Sequence, residues 1–264
     1  MDCSHLFLIL GAGVFVSCVT ASALSPYDNY RQYAPERRTG ELVYVGEGIS
    51  VEEIRAVLED SRPEFERSLR AQGGSNLSVF AMEDVHGKTV LLAHRYDPPG
   101  QAPSKLVWPA SIRDYLVPHE HAARRRDGEQ TWLDMELICY LPCAVDKEPD
   151  GEVVRYGLIT MLKPDMEQKY RTLHQTVWPG VIDQIARSNV RHWTTWCVEL
   201  EKRLYLVAYF EYVGSDKAAD DADMANDPVT QRWWKHTDAC QQPLPQQEGK
   251  GGPWSAMTLL LHVP

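Results

Sequence analysis

The last eleven residues of the chain, Trp254-Ser-Ala-Met-Thr-Leu-Leu-Leu-His-Val-Pro264, align without a gap on Trp132-Leu-Asp-Met-Glu-Leu-Ile-Cys-Tyr-Leu-Pro142, and Trp, Met, Leu and Pro coincide. An internal repeat constrains a fold strongly, because each copy must satisfy one structural pattern and the two must bury whatever face that pattern leaves bare. Further back, the run Arg203–Tyr212 (RLYLVAYFEY) matches Lys88–Tyr96 (KTVLLAHRY), both rich in the β-branched and aromatic residues of strands. Pro179 falls opposite Pro63, and Ile185 opposite Leu69. The 264 residues therefore read as a duplication, 41–143 and 153–264, joined by a linker over 144–152 that contains the acidic turn Asp146-Lys-Glu-Pro-Asp-Gly151.

The second copy shows its order most clearly. Strands are predicted over 153–162, 193–198, 203–212 and 256–263, with helices over 165–188 and 228–238. Asp165 is a candidate N-cap with Glu167 in the first turn, and Asp227-Pro228 supplies an N-cap followed by proline at N1. The order βαββαβ is the ferredoxin-like arrangement, an antiparallel sheet with both helices on one face. Its other face needs a cover, which a second copy provides. The expected fold is α+β: tandem ferredoxin-like units packed sheet to sheet as an intramolecular pseudo-dimeric α+β barrel, so that the chain can be monomeric overall.

Charge narrows the partners. A net charge of -10 argues against nucleic acid, whose phosphates need clustered Lys and Arg. The basic run Arg124-Arg125-Arg126 is short, is followed by Asp127, and reads as a solvated loop. Residues 1–23 read as a signal peptide: Leu6–Val19 is an apolar run too short to span a membrane comfortably, and Ala21-Ser22-Ala23 offers a small-x-small cleavage site. Val16-Ser17-Cys18 also resembles an imperfect lipobox with Cys18 as the lipidated residue. Either route exports the protein, periplasmic or secreted, and residues 24–40 then form a tether. Four cysteines remain, Cys139, Cys143, Cys197 and Cys240, and read as buried thiols or one disulfide.

One stretch carries chemistry. Tyr170, His174 and Trp178 recur at i, i+4 and i+8 along the predicted helix 165–188, on the side that also holds Met166, Leu173, Val177, Val181 and Ile185. A plain reading makes this a core stripe with one satisfied histidine. The first copy supplies a control: it has Ile54, Leu58 and Arg62 at these positions, so packing alone does not demand polar rings. His119-Glu-His121 lacks the spacing and further ligands of a metal site, and no metal or cofactor is expected.

Together, Tyr170-Arg-Thr-Leu-His174-Gln-Thr-Val-Trp178-Pro179, the strand ending Tyr209-Phe-Glu-Tyr212, and Asp227-Pro-Val-Thr-Gln-Arg-Trp233-Trp234-Lys-His-Thr-Asp-Ala-Cys240-Gln resemble the L-rhamnose mutarotase family over about residues 153–264. The resemblance implies a dimeric α+β barrel without metal that interconverts the anomers of a free deoxysugar such as L-rhamnose. It assigns His174 as the proton-transferring histidine, Tyr170 as its companion, and Trp233 and Trp234 as the pair walling the sugar. Trp178 joins the substrate-binding set, and Trp193, or alternatively Trp196, takes the place of a family tyrosine. Gly180 stands where the family often has Glu, and Trp193 lacks a phenol's hydrogen bonding. The first copy looks degenerate and structural. The expected activity is aldose 1-epimerase-type interconversion of α and β L-rhamnose or a related 6-deoxyhexose. The alternative is a non-catalytic exported sugar-binding module, and a third, weaker reading is another chemistry on the same barrel, such as a monooxygenase.

Overall fold

The computed structural model describes residues 37–98, 108–122 and 132–264. The predicted signal peptide, Cys18 and the run Arg124–Arg126 lie outside the described residues. Each half begins with a strand, a pair of helices and a hairpin. In the first half these are β1 (Arg37–Val45), α1 (Val51–Asp60), α2 (Arg62–Ala71), β2 (Ser75–Val85) and β3 (Lys88–Asp97), followed by the short α3 (Ala110–Arg113) and β4 (Glu136–Cys143). In the second they are β5 (Val154–Leu162), α4 (Glu167–Gln175), α5 (Pro179–Arg187), β6 (Val190–Leu200) and β7 (Arg203–Tyr212). Helices α6 (Lys217–Asn226) and α7 (Pro228–Thr237) and strand β8 (Thr258–Val263) complete the chain.

The expected helix 165–188 is divided. Asp165 lies in a 3-10 turn, and α4 begins after Met166 with no side-chain cap. Pro179 then occupies N1 of α5, which forces Trp178, the residue before it, into an extended conformation (φ -61°, ψ 133°). Trp178 is therefore an N-cap rather than a third position on the Tyr170–His174 helix. By contrast Asp227 caps α7 as expected, its Oδ2 accepting from the Thr230 N–H at 2.7 Å. The tether boundary also moves, since β1 starts at Arg37, inside the segment 24–40.

The last strand of each half pairs with the other half's sheet. One sheet runs β8-β2-β3-β1, and the other runs β5-β7-β6-β4. Leu133 and Asp134 pair with β1, and the chain then passes Met135, whose N–H donates to the Gly40 carbonyl (3.0 Å), into β4 on the opposite sheet. Ser255 and Ala256 pair with β5, Met257 donates to the Gly157 carbonyl (2.8 Å), and β8 joins β2. These two crossings close the sheets into a barrel with helices outside, so each half depends on a strand from the other.

Glycine at the crossings follows from close approach. A Cβ on Gly40 would lie 2.7 Å from Met135 and 2.8 Å from Trp196, and one on Gly157 would lie 2.7 Å from Phe80. Gly157→Ala is expected to destabilise the protein by about 1–3 kcal/mol through overpacking, measured as a lower denaturant midpoint at unchanged slope. An unaffected midpoint would contradict this account of the barrel wall.

Inside the barrel, Leu42, Phe80, Leu92, Ile159, Trp196 and Val207 form an apolar centre, and the His94 and Tyr209 rings stack across it at 3.7 Å. One end is polar and buried. Glu211 Oε1 accepts from Tyr209 (2.8 Å), Asn76 (2.9 Å) and Tyr96 (3.0 Å), while Oε2 accepts from Arg191 (2.8 Å). Arg38, lying 3.3 Å from the Tyr96 ring centroid, donates to Tyr140 (3.0 Å) and to His192 Nδ1 (3.0 Å). Burial, and then the Arg38 charge, push the His192 imidazole down to about 3. Burial alone would raise the Glu211 carboxyl. The His192 charge, present once that imidazole is protonated below about 3, then the Tyr209 hydroxyl and the Arg191 guanidinium hold the carboxyl at about 2.

Candidate active site

The layer between the second sheet and its helices contains Tyr170, Phe210, Trp233, Cys139, Cys197 and Cys240, with Trp178 and Trp193 at its edge. Helix α4 supplies Tyr170 and His174, one turn apart, and their rings stack at 4.1 Å. The Tyr170 carbonyl is an acceptor 2.9 Å from His174 Nδ1, so Nδ1 carries the proton and donates, leaving Nε2 with the lone pair. Trp233 of α7 meets the imidazole edge-on at 5.4 Å, and Trp178 meets Trp233 in the same manner at 5.4 Å. On the sheet side, Trp193 stacks on Phe210 at 5.1 Å, and Phe210 stacks on Tyr156 at 4.8 Å.

Electrostatics follow from burial. His174, only 8% exposed, is pushed down to about 4 by loss of solvent, with the Tyr170 carbonyl acting in the opposite direction. It is therefore a neutral base near pH 7. Burial raises the Tyr170 phenol well above its ordinary range, so this hydroxyl stays protonated. All four described cysteines are free thiols; burial holds Cys197 at about 11 and Cys143 at about 12, and raises Cys139 and Cys240. The charges stand at the rim: Arg171 binds Glu136 of β4 through two bonds (2.8 and 2.9 Å) and Glu167 at 2.8 Å, which ties α4 to a strand contributed by the first half.

Five of the six residues singled out from sequence fall in or at the edge of this layer: Tyr170, His174, Trp178, Trp193 and Trp233. Trp234, 36% exposed, points away from it, because adjacent helical positions diverge by about 100°. Of the alternatives Trp193 and Trp196, the first lies on the helix side and the second in the barrel interior. The Trp193 indole N–H is already committed to Thr195 Oγ1 at 3.0 Å. A Cβ at Gly180 would sit 3.1 Å from Val229, so the glycine lets α5 and α7 approach. Two features escaped sequence reasoning. The buried Glu211 network was signalled only by a carboxylate in an otherwise aromatic alternating strand, and Gln241, beside Tyr170, carried no signal at all.

In the first half the same layer is filled. Ile54 and Leu58 are fully buried, Trp108 and Trp132 stack at 3.5 Å with Phe65 edge-on to Trp108, and Arg95 is paired with Glu41 and Asp97.

Comparison with known proteins singles out the second half. Residues 155–263 match the family model of L-rhamnose mutarotase. The L-rhamnose mutarotase of Jannaschia sp. (strain CCS1) is 24% identical over 110 residues, 42% of this chain and 98% of the relative. That of Cronobacter sakazakii (strain ATCC BAA-894) is 26% identical over 84 residues, 32% of this chain and 76% of the relative. Among solved structures, an L-rhamnose mutarotase from Formosa agariphila aligns with 40% of this chain and 92% of its own at 18% identity and a TM-score of 0.29. An anthrone oxidase-like protein aligns with 88% of this chain and 92% of its own at 11% identity and a TM-score of 0.43.

Proposed function

We propose that the second half, whose residues 155–263 carry the sequence pattern of the L-rhamnose mutarotase family, is a working mutarotase for a neutral 6-deoxyhexose such as L-rhamnose. The observation that carries this reading is a buried, neutral imidazole whose Nε2 lone pair is free of the backbone bond, stacked on a protonated phenol and roofed by an indole. Mutarotation moves one proton from the anomeric hydroxyl and delivers one to the ring oxygen. The C1–O5 bond breaks, the aldehyde rotates, and the ring recloses on the other face. His174 Nε2 accepts the first proton. The imidazolium so formed is strongly acidic because burial disfavours its charge, so it returns a proton to the ring oxygen readily.

Tyr170 holds a sugar hydroxyl and keeps the imidazole in place by stacking. The Trp233, Trp178 and Trp193 faces suit the apolar C–H faces of a deoxysugar. Tyr170, His174, Trp178, Trp193, Phe210 and Trp233 bring no formal charge to the layer at neutral pH. The cations at its edge are already paired, Arg171 with Glu136 and Glu167, and Lys217, over the Phe210 ring, with Asp221, whereas a phosphate or carboxylate would need a free cation opposite it. The preferred substrate is therefore unphosphorylated. Saturation-transfer NMR over L-rhamnose, L-fucose, their epimers and a hexose 6-phosphate tests this reading: accelerated exchange for a neutral sugar and none for the phosphate is expected, and no acceleration for any sugar would refute it.

The pH profile has a definite sign. The base form is required, so kcat/KM for enzymatic exchange is expected to be flat through neutrality and to fall as pH drops through about 4. A fall centred near 6.5 would mean an imidazole exposed to water.

Both sheets of the barrel come from one chain, so a second copy is not needed to supply one of them. Light scattering should give the mass of one chain, at most 30.0 kDa. A mass of twice that value would require a further interface.

A further inference from the structure

Buried polar side chains normally find partners. Gln241 is 4% exposed, and among the described residues its carbonyl Oε1 has no hydrogen-bond partner. Its side chain faces the Tyr170 phenol and acts against the upward push that burial gives that hydroxyl. Turning the amide over would exchange Oε1 for Nε2 and still leave one polar end unpaired, so the vacancy does not depend on which way the amide is drawn.

The backbone under this side chain is firmly placed. Gln241 pairs in register with Leu162 of β5, and the neighbouring Cys240 carbonyl accepts from the Lys163 N–H at 2.9 Å. The Lys163 ammonium donates to the Ala239 carbonyl (2.8 Å), and Thr160 Oγ1 donates to the Gln242 carbonyl (3.1 Å). Alternation along the two-residue strand then turns Gln242 outward and Gln241 inward, against the phenol that stacks on His174.

We propose that Gln241 is a specificity-determining residue of the sugar site: its buried, unpaired amide end beside Tyr170 bonds one hydroxyl of a neutral pyranose. The proposal rests on the reading of this layer as a sugar pocket. A fixed hydrogen-bonding group beside the proton-transferring pair reads hydroxyl configuration, because a sugar lacking that hydroxyl, or carrying it on the other face, leaves the buried amide unpaired. The apolar indole faces do not discriminate in this way.

The test combines Gln241→Met, which keeps side-chain length without polar atoms, with equilibrium binding of L-rhamnose and its monodeoxy analogues followed by intrinsic tryptophan fluorescence. Gln241→Met is expected to weaken L-rhamnose binding about tenfold, equivalent to about 1.4 kcal/mol. At least one monodeoxy analogue should bind wild type about tenfold more weakly than L-rhamnose does, and that difference should vanish in the variant. Equal affinity of variant and wild type, or an analogue difference that persists unchanged in the variant, would overturn the proposal. If the variant does not fold, the wild-type series decides it: all monodeoxy analogues within twofold of L-rhamnose would overturn it. Anomer exchange measured in parallel keeps the two claims apart, since binding that depends on Gln241 without accelerated exchange defeats the mutarotase reading alone. Absence of binding by every sugar defeats both.

Discussion

His174→Ala is expected to reduce enzyme-catalysed anomer exchange by about 10²–10⁴-fold, the usual range for loss of a positioned acid–base group. The effect should fall on kcat. The imidazole is proposed to act on the reacting proton, while Tyr170, Trp178, Trp193 and Trp233 remain to hold the sugar, so KM should change little. The fold should survive, because among the described residues the ring bonds the carbonyl of its own helix, Tyr170 O, and a helical carbonyl at that position is already an acceptor for the backbone. Far-UV circular dichroism and the thermal midpoint serve as controls. A variant that retains wild-type kcat would remove His174 from the chemistry.

Glu211→Ala is expected to have the largest effect on stability. The carboxylate is 3% exposed and holds Tyr209, Asn76, Tyr96 and Arg191 together. Removing one partner of a buried ion pair leaves the other charge uncompensated, at a cost of about 3–5 kcal/mol. For a chain of this size each kcal/mol lowers the melting temperature by about 2–4 °C, so a drop of roughly 6–20 °C is expected. The same cluster predicts acid lability. His192 titrates at about 3 in the fold and near 6.5 unfolded, so the unfolded state binds more protons between these values and stability falls as pH drops below about 6.5. Glu211 adds a contribution of the same sign, fully present above the unfolded carboxylate value of about 4.3 and lost as pH falls through about 2. Denaturant melts between pH 7 and 3 would show this slope, and pH-independent stability above pH 5 would contradict the burial of a neutral His192.

The α+β elements and their recurrence in two halves were legible in the sequence because strand alternation and proline spacing are local signals. Strand exchange was not legible. The alignment of 132–142 with 254–264 marks equivalent strands but does not say which sheet receives them, a choice made by Met135 and Met257 crossing at Gly40 and Gly157. The pairs Arg38-Thr-Gly40 and Arg155-Tyr-Gly157 are the trace of that crossing in the sequence, visible once the strands are superposed. At the site, i and i+4 spacing correctly joined Tyr170 to His174, since it stays within one helix. The step to Trp178 crossed a proline that breaks the helix, and Trp178 reaches Trp233 from an N-cap instead. Trp233 and Trp234 are equivalent as letters, and only the orientation of α7 separates them. Gln241 lies on a two-residue strand too short for any periodicity, so its role rests on burial and an unpaired atom.

The central claim is that this chain accelerates opening and reclosure of a neutral sugar ring through His174. The most direct measurement is the magnetisation-transfer rate between the α and β anomeric protons of L-rhamnose at pH 7 as protein is added. The account predicts a rate above that of buffer that rises in proportion to protein concentration and disappears in His174→Ala. A rate that stays at the buffer value at every protein concentration would contradict it.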